Sequence, residues 1–135
     1  MFVASRVVRV QHCDPSGIVF YPKYFLLFHE VVEQWMVEGL GVDYADFVLR
    51  SGYSLPMVKI ECEFMAPSRV GDQITFELGV ERLGVSSVTL SLRGHGNGQE
   101  RVHASLLMVH TAVKDMRAEP IPDALREAML RFALE

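Results

Sequence analysis

The 135-residue chain has only two cysteines, Cys13 and Cys62, which are too few for a disulfide framework and suit a reducing compartment. It contains no apolar run near the ~20 residues that a membrane span requires. Arg6 and Arg9 interrupt the N-terminal apolar residues where a signal peptide would need a continuous run. The net charge of −4 argues against a nucleic-acid partner, which calls for a basic face. We expect a cytoplasmic protein with no membrane or nucleic-acid partner.

The sequence also lacks clusters of His and Cys at metal-ligand spacing. His12, Cys13 and Asp14 are adjacent, but neighbouring side chains of an extended chain point in different directions and converge poorly on one ion. Cys13 is more typical of a small buried residue than of a nucleophile. No repeat, linker or low-complexity tract is present, and the length suits one domain over residues 1–135. We predict no metal site.

A long amphipathic helix is predicted for residues 24–38. Its apolar residues recur at offsets of 3, 4, 7, 8, 11 and 12, which mark one wide apolar face. Pro22 stands where a first helical turn tolerates proline, and Gly39 and Gly41 are expected to end the helix. A second short helix is predicted for residues 43–50.

The hydrophobic period changes to two after this point, which predicts an antiparallel sheet. Apolar and polar residues alternate over 58–64, 74–81 and 88–93, as in half-buried strands. Residues 102–113 are apolar on both faces, as expected at the centre of a sheet or at a subunit contact. Residues 2–10 predict a first strand, and Pro120 and Pro122 precede a predicted helix over 123–135.

The order strand, long helix, four strands, helix predicts an α+β hotdog fold, in which a curved antiparallel sheet of about five strands wraps a long central helix. The chain ends in a further helix. Because a small sheet has open edges, pairing between subunit edges is expected, and we predict a homodimer or homotetramer.

Residues 14–24, DPSGIVFYPKY, resemble the active-site segment of hotdog-fold acyl-CoA thioesterases of the 4-hydroxybenzoyl-CoA thioesterase family. That segment reads Asp-Pro-small-Gly, a short apolar run, then Pro-x-Tyr, and the order of elements agrees over nearly the whole chain. The resemblance implies that Asp14 is the catalytic carboxylate. It also implies that the backbone amide of Tyr21 donates to the oxyanion.

The physical chemistry of this segment is consistent with that role. Pro15 biases Asp14 toward an extended backbone, and Ser16-Gly17 permits a sharp turn. Unpaired amides and the positive end of the helix dipole gather at a helix entry, where one donor to an oxyanion is worth about 3–4 kcal/mol in other acyl-transfer enzymes. Asp14 can act as nucleophile or as general base, and both roles stay open. A simple Asx turn is the alternative.

Two positions depart from the family's pattern. Where the 4-hydroxybenzoyl-CoA enzyme carries an acidic residue that contacts the phenolic hydroxyl, this chain has His29. Where that enzyme has several basic residues that meet the nucleotide phosphates, this chain has Arg82 alone, with Arg69, Arg93 and Lys59 as further candidates. Five residues are predicted to bind substrate: Gly17, Tyr24, Phe28, His29 and Arg82.

We therefore predict an acyl-CoA thioesterase that releases a carboxylate and free CoA. The acyl group is expected to be aromatic, such as benzoyl or hydroxybenzoyl, or a short or medium chain. Coenzyme A enters as part of the substrate, and no other cofactor is predicted. The alternatives are a hotdog-fold enoyl-CoA hydratase or dehydratase, built on His12 or on His29 with Glu30, and a non-catalytic acyl-CoA-binding module.

Overall fold

A long helix, α1 (Tyr21–Gln34), lies across one face of an antiparallel sheet in the computed structural model, which describes residues 1–134. The sheet has five strands in the order β1-β4-β5-β6-β3, and a separate two-stranded ribbon pairs β2 with β7. Two shorter helices complete the chain, α2 (Tyr44–Arg50) and α3 (Asp123–Leu130). The strands are β1 (Phe2–Val7), β2 (Tyr53–Ser54), β3 (Met57–Phe64), β4 (Gln73–Leu83), β5 (Ser87–Gly96), β6 (Gln99–Val109) and β7 (Thr111–Ala112).

The core lies between α1 and the inner face of the sheet. Each fully buried apolar side chain is worth roughly 1.5–3 kcal/mol relative to exposure, so this one interface supplies most of the driving force for the architecture. The helix contributes every position of its predicted stripe from Leu27 onward, and the strands contribute alternate residues. The buried set includes Leu27, Phe28, Val31, Val32, Trp35, Ile74, Phe76, Leu78, Leu90, Leu92, Ala104 and Leu106. The predicted α+β hotdog arrangement is confirmed.

Helix α1 begins at Tyr21, three residues earlier than predicted, because Pro22 is favoured in a first helical turn. The apolar stripe begins only at Tyr24, so the hydrophobic pattern alone did not include residues 21–23. The helix continues from Trp35 to Gly39 as one wider π-helical turn. Gly39 is required there, because a Cβ at this position would lie 2.7 Å from Cδ1 of Trp35. Gly41, with a φ of 73°, then turns the chain away.

The single strand predicted for residues 102–113 is wrong in one respect, since the chain breaks at His110 into β6 and β7. The His110 amide leaves the sheet ladder and donates to the carbonyl of Ser86 at 2.7 Å. Its ring stacks on Tyr53 with centroids 4.8 Å apart. The apolar residues run on through 102–113, so the hydrophobic pattern gives no sign of this break. The first strand likewise ends at Val7 rather than residue 10, and the last helix ends at Leu130; residue 135 of the predicted helix lies outside the described residues.

Strand β3 forms one edge of the sheet, and α1 does not cover its apolar side chains. Ile60 and Cys62 face the helix side, since Cys62 pairs with buried Ala104 and Ile60 with buried Leu106, whereas Val58 lies at a break in the register. Even so, Val58 and Phe64 are about half exposed. The predicted alternation is therefore present, but its apolar face is uncovered in the single chain. Among residues 1–134, no helix is long and apolar enough to cross a membrane.

Candidate active site

Asp14 lies on a tight turn that ends just before α1. The Asp14 amide donates to the Ile18 carbonyl and the Gly17 amide donates to the Asp14 carbonyl, both at 3.0 Å. Gly17 has a φ of 80°, in the left-handed region where a residue without Cβ is favoured. These local bonds hold the Asp14 backbone in one orientation, as the Pro15 and Ser16-Gly17 sequence predicts.

Ser16 anchors the Asp14 carboxylate through one of its two oxygens. Oδ1 accepts from the Ser16 amide at 2.8 Å and from the Ser16 hydroxyl at 2.5 Å. Oδ2 takes no part in the Ser16 bonds, although the Ile18 amide also helps to stabilise the charged carboxylate, and the side chain is exposed. The bonds from the Ser16 hydroxyl and amide lower the pKa of Asp14, so it is ionised at neutral pH. The Asx turn and a chemical role are therefore compatible, because the turn uses only one oxygen.

The entry of α1 presents the amide of Tyr21 without an acceptor. The Phe20 amide donates to the His12 carbonyl at 2.9 Å, and the Lys23 amide donates to the Phe20 carbonyl at 2.8 Å. Pro22 has no amide hydrogen. Within residues 1–134 the Tyr21 amide donates to no backbone or side-chain acceptor. It is thus available at the end of the helix where the dipole favours negative charge.

A cavity of about 240 Å³ opens beside this amide, and we call it the helix-entry cavity. Its walls come from the end of the Asp14 loop, the first turn of α1, the end of β3 and the segment that follows β3. The Phe64 ring closes one side, with its centroid 6.2 Å from that of Tyr21 and 5.8 Å from that of Tyr24. The lining residues are Val19, Tyr21, Tyr24, Phe64, Met65, Ala66, Pro67 and Ser68.

The structure places His29 at a second cavity, about 200 Å³ in volume, which we call the distal cavity. His29 lies eight residues after Tyr21 on α1, roughly 12 Å along the axis. Tyr21, Phe25 and His29 follow the four-residue spacing of one helix face, so an apolar row leads from the helix entry toward this cavity. The other walls are mostly apolar and aromatic, and they include Val32, Met36, Tyr44, Phe47, Tyr53 and Leu55.

The remaining predicted residues have different surroundings. Gly17 shapes the Asp14 turn, and Tyr24 presents its ring to the helix-entry cavity while its hydroxyl donates to Ser68 Oγ at 2.7 Å. Phe28 is buried in the core and lines neither of these two cavities. Arg82 is exposed near the far end of β4, ten residues from Asp72 and so roughly 30 Å along the strand. Asp14 and Arg82 are not brought together within one chain.

The other basic candidates divide into paired and unpaired side chains. Lys59 contacts Glu61 at 2.9 Å, and Arg93 contacts Glu100 at 2.7 Å, so neither charge is free in the single chain. Arg69 forms no ion pair within the part of the chain that the structure describes, and its backbone bridges to Ile18 in the Asp14 loop. Arg69 is therefore the basic candidate nearest the Asp14 loop.

Other titratable groups near the loop are less suited to catalysis. Burial and the neighbouring Asp14 raise the pKa of the Cys13 thiol, and burial raises that of Cys62 to about 11, so both are protonated at neutral pH. His29 lies 3.9 Å from Glu33, whereas Glu30 pairs with Arg6 at 3.4 Å. His29 and Glu30 therefore do not form the acid–base pair that the hydratase alternative requires. In residues 1–134, no group of three His, Cys, Asp or Glu side chains is arranged for a metal ion.

Sequence reasoning missed the polar residues that hold the loop from behind. The Ser68 carbonyl accepts from the Val19 amide at 2.9 Å, and the Gly17 carbonyl accepts from the Val70 amide at 3.0 Å. Ser68 in turn contacts buried Arg101, which is bonded to Asp72. The only local indication was a charged residue, Arg101, at the start of a strongly apolar strand.

Comparison with known proteins gives consistent matches over nearly the whole chain. A model of the thioesterase-like superfamily matches residues 8–129. A 1,4-dihydroxy-2-naphthoyl-CoA hydrolase of Rippkaea orientalis is 30% identical over 129 residues, which are 95% of this chain and 91% of that protein. The enzyme of the same name from Acaryochloris marina is 26% identical over 134 residues, 96% of each chain.

Two solved structures share the fold. A 1,4-dihydroxy-2-naphthoyl-CoA thioesterase from Synechocystis superposes with a TM-score of 0.88 at 20% identity, covering 96% of this chain and 95% of that one. A gentisyl-coenzyme A thioesterase superposes with a TM-score of 0.85 at 24% identity, covering 95% and 99%. At these identities the likeness establishes the architecture of the chain.

Proposed function

This chain belongs to the thioesterase-like superfamily and is an acyl-CoA thioesterase, and we propose that it hydrolyses an aromatic acyl-CoA with Asp14 as the reacting carboxylate. The observation that carries the proposal is the pairing of two unused groups on one short segment. Asp14 has an ionised carboxylate with one oxygen outside the Ser16 bonds, and the Tyr21 amide has no acceptor among the described residues. They lie at the two ends of the loop that enters α1.

Asp14 can hydrolyse the thioester by either of two routes. In the first, Asp14 Oδ2 forms a bond to the acyl carbon, the C–S bond breaks, and CoA leaves as a thiolate that takes up a proton. Water then cleaves the mixed anhydride and restores the carboxylate. In the second, Asp14 takes a proton from a water molecule that attacks the acyl carbon directly. Both routes put negative charge on the former carbonyl oxygen, and the Tyr21 amide is positioned to stabilise it.

The preference for an aromatic acyl group rests on the shape and lining of the site. An acyl group whose carbonyl meets the Tyr21 amide has two apolar spaces within reach, the helix-entry cavity and, along the Tyr21–Phe25–His29 row, the distal cavity. Aromatic side chains line both, and a flat ring packs well against them. The relatives named as 1,4-dihydroxy-2-naphthoyl-CoA hydrolases support a hydroxylated ring system. His29 has ring nitrogens that can bond a ring hydroxyl.

We also propose that the working enzyme is a homodimer in which the β3 edges of two copies pair. The edge offers unpaired backbone groups beside exposed Val58, Ile60 and Phe64, and burial of this strip favours association. Two-fold antiparallel pairing centred on Glu61 would set Lys59 of each copy opposite Glu63 of the other, and these two opposite-charge pairs would flank the two Glu61 side chains that meet at the axis. Such a dimer would cover the exposed strip of Val58, Ile60 and Phe64. It would also offer a way to bring Arg82 of the second copy near a substrate bound at Asp14, since Arg82 of the same copy lies far from Asp14.

The test is release of free CoA thiol by wild type and by Asp14→Asn. The substrate panel holds 1,4-dihydroxy-2-naphthoyl-, gentisyl-, benzoyl-, 4-hydroxybenzoyl-, phenylacetyl-, short-chain and long-chain acyl-CoAs. We expect the fastest turnover with an aromatic ester and a loss of at least about 10²-fold in kcat for Asp14→Asn, the scale for removing a catalytic group. Asparagine retains the oxygen that accepts from Ser16, so the turn is preserved.

Asp115→Asn is the matched control, because Asp115 also accepts from the amide two residues later, that of Arg117, at 3.1 Å. We expect it to keep the wild-type rate. Equal rates for wild type and Asp14→Asn would reduce Asp14 to a turn residue. Turnover restricted to aliphatic esters would refute the aromatic assignment while leaving the carboxylate mechanism in place.

A further inference from the structure

A buried polar cluster lies behind the active-site loop and is formed by Tyr24, Ser68, Asp72 and Arg101. Arg101 is 4% exposed, and its Nη1 donates to Ser68 Oγ at 3.0 Å, to Asp72 Oδ2 at 2.9 Å and to the Pro67 carbonyl at 3.1 Å. Its Nη2 donates to the Gly96 carbonyl at 3.2 Å. The Arg101 bond lowers the pKa of Asp72, so the pair is charged at neutral pH. The cluster thus joins the end of β5, the start of β6 and the segment 67–72.

The segment 67–72 holds the Asp14 loop through backbone bonds. The Ser68 carbonyl accepts from the Val19 amide at 2.9 Å, and the Val70 amide donates to the Gly17 carbonyl at 3.0 Å. Between these two bonds, Arg69 and Ile18 form an isolated bridge. A shift of the segment therefore moves residues 17–19, and Asp14 with them, since the Asp14 amide is bonded to Ile18.

The same cluster holds the first turn of α1. Tyr24 follows Tyr21 by three residues, which is less than one turn. Its hydroxyl donates to Ser68 Oγ at 2.7 Å, the atom that also accepts from Arg101. Burial raises the pKa of Tyr24, so the hydroxyl keeps the proton that it donates. The first turn of α1, which carries the Tyr21 amide, is thus attached to Ser68 through the Tyr24 side chain, and the Asp14 loop is attached to it through the backbone.

Stability alone does not account for a buried charge at this place. Desolvation of a buried ion pair offsets most of its Coulomb attraction, and apolar residues of similar size often stabilise a fold as well. What hydrogen bonds supply in addition is direction, because each donor fits its acceptor over a narrow range of distance and angle. Catalysis is sensitive to that, since displacement of a reacting group by about 1 Å can cost about 10²-fold in rate.

We infer that Tyr24, Ser68 and Arg101 are positioning residues that set the Asp14 carboxylate and the Tyr21 amide at their working separation. The inference rests on the proposed function of Asp14 and Tyr21. None of the three supplies a proton or an electron pair to the reaction, and each acts through the two segments that it joins. Their loss is therefore expected to lower kcat and to leave the affinity for the acyl-CoA largely intact.

The test compares Tyr24→Phe, Ser68→Ala and Arg101→Lys with wild type and Asp14→Asn, using the aromatic acyl-CoA of the panel that wild type hydrolyses fastest. We expect each variant to lose about 10- to 100-fold in kcat with KM within about twofold. The matched control is Arg126→Met, because the Arg126 Nη2 likewise donates to two loop carbonyls, those of Gly84 and Val85 at 2.7 Å, at the opposite end of β4. It should lose stability without losing kcat.

A second measurement separates positioning from a general loss of structure. In the Asp14→Asn background, Tyr24→Phe should have little further effect, because residues that act as one unit are strongly non-additive. The inference is overturned if Tyr24→Phe raises KM with kcat unchanged, if its kcat equals that of the Arg126 control, or if its effect is fully additive with Asp14→Asn. A wild type that releases no thiol, or an Asp14→Asn variant at full rate, refutes the proposed function instead. If Arg101→Lys fails to fold, Tyr24→Phe and Ser68→Ala decide.

Discussion

Phe28 and Phe25 lie three residues apart on α1, and their replacement separates the buried face of the helix from the exposed row of Tyr21, Phe25 and His29. Phe28 is 1% exposed and meets the rings of Tyr24 and Phe76, with centroids 6.0 and 6.2 Å away. Phe25 is 36% exposed and lies on the row between the two cavities. Phe28→Ala should cost about 3–5 kcal/mol, the range for a buried phenylalanine. Phe25→Ala should cost roughly 1–2 kcal/mol, as is usual for a half-buried position.

These energies translate into melting temperatures that are easily resolved. At about 2.1 cal/mol/K per residue, the unfolding entropy of 135 residues is about 0.28 kcal/mol/K. Phe28→Ala should then lower Tm by about 11–18 °C, and Phe25→Ala by roughly 4–7 °C. The assay is thermal unfolding followed by circular dichroism at one fixed protein concentration, since association makes Tm concentration-dependent. Thiol release below both transitions should show the larger change in KM for Phe25→Ala.

Equal Tm losses for the two variants would refute this assignment, because they would mean that Phe25 is as deeply packed as Phe28 in the working enzyme. A rise in KM confined to Phe28→Ala would show instead that Phe28 contacts the substrate, as the sequence predicts. Phe28 would then belong to a pocket that opens only when the acyl group binds.

Two further outcomes concern pH and assembly. Ser16→Ala should move the acid limb of kcat/KM to higher pH. The Ser16 hydroxyl lowers the pKa of Asp14, so its removal lets the carboxylate protonate at a higher pH as the pH falls. The pH–rate profile is measured with Ser5→Ala as the control, and an acid limb that does not move contradicts the prediction. Ile60→Lys should convert a dimer into a folded monomer in light scattering, because the charge would be buried at the paired β3 edge. Val85→Lys, at an exposed turn, should leave the dimer intact, and a dimeric Ile60→Lys protein would exclude the β3 interface.

The periodic elements could be predicted because their determinants are local. The helix stripe from Leu27 to Trp35 and the alternation in β4 and β5 depend on which residues recur every 3.6 or every two positions. The elements that sequence reasoning missed depend on distant partners. The break at His110 is set by Ser86 and Tyr53, and β2 exists only because β7 lies beside it.

The candidate site divides in the same way. The Asp14 turn was visible in the sequence because Asp14, Ser16, Gly17 and Ile18 bond to one another within five residues. The anchors behind it were not visible, since Ser68 and Arg101 are separated by more than thirty positions and meet only when β6 takes its place in the sheet. Arg82 was predicted from its place in the chain, whereas the folded strand carries it far from Asp14.

By itself, then, the sequence determined the order and type of the long periodic elements and the chemistry of the Asp14–Tyr24 segment, because those follow from the spacing and the neighbours of each residue. Only the tertiary structure decided which polar residues support that segment, which face of β3 stays uncovered and which spaces open beside α1. These are properties of surfaces brought together by folding, and a burial or a hydrogen bond between distant residues leaves no periodic trace in the chain.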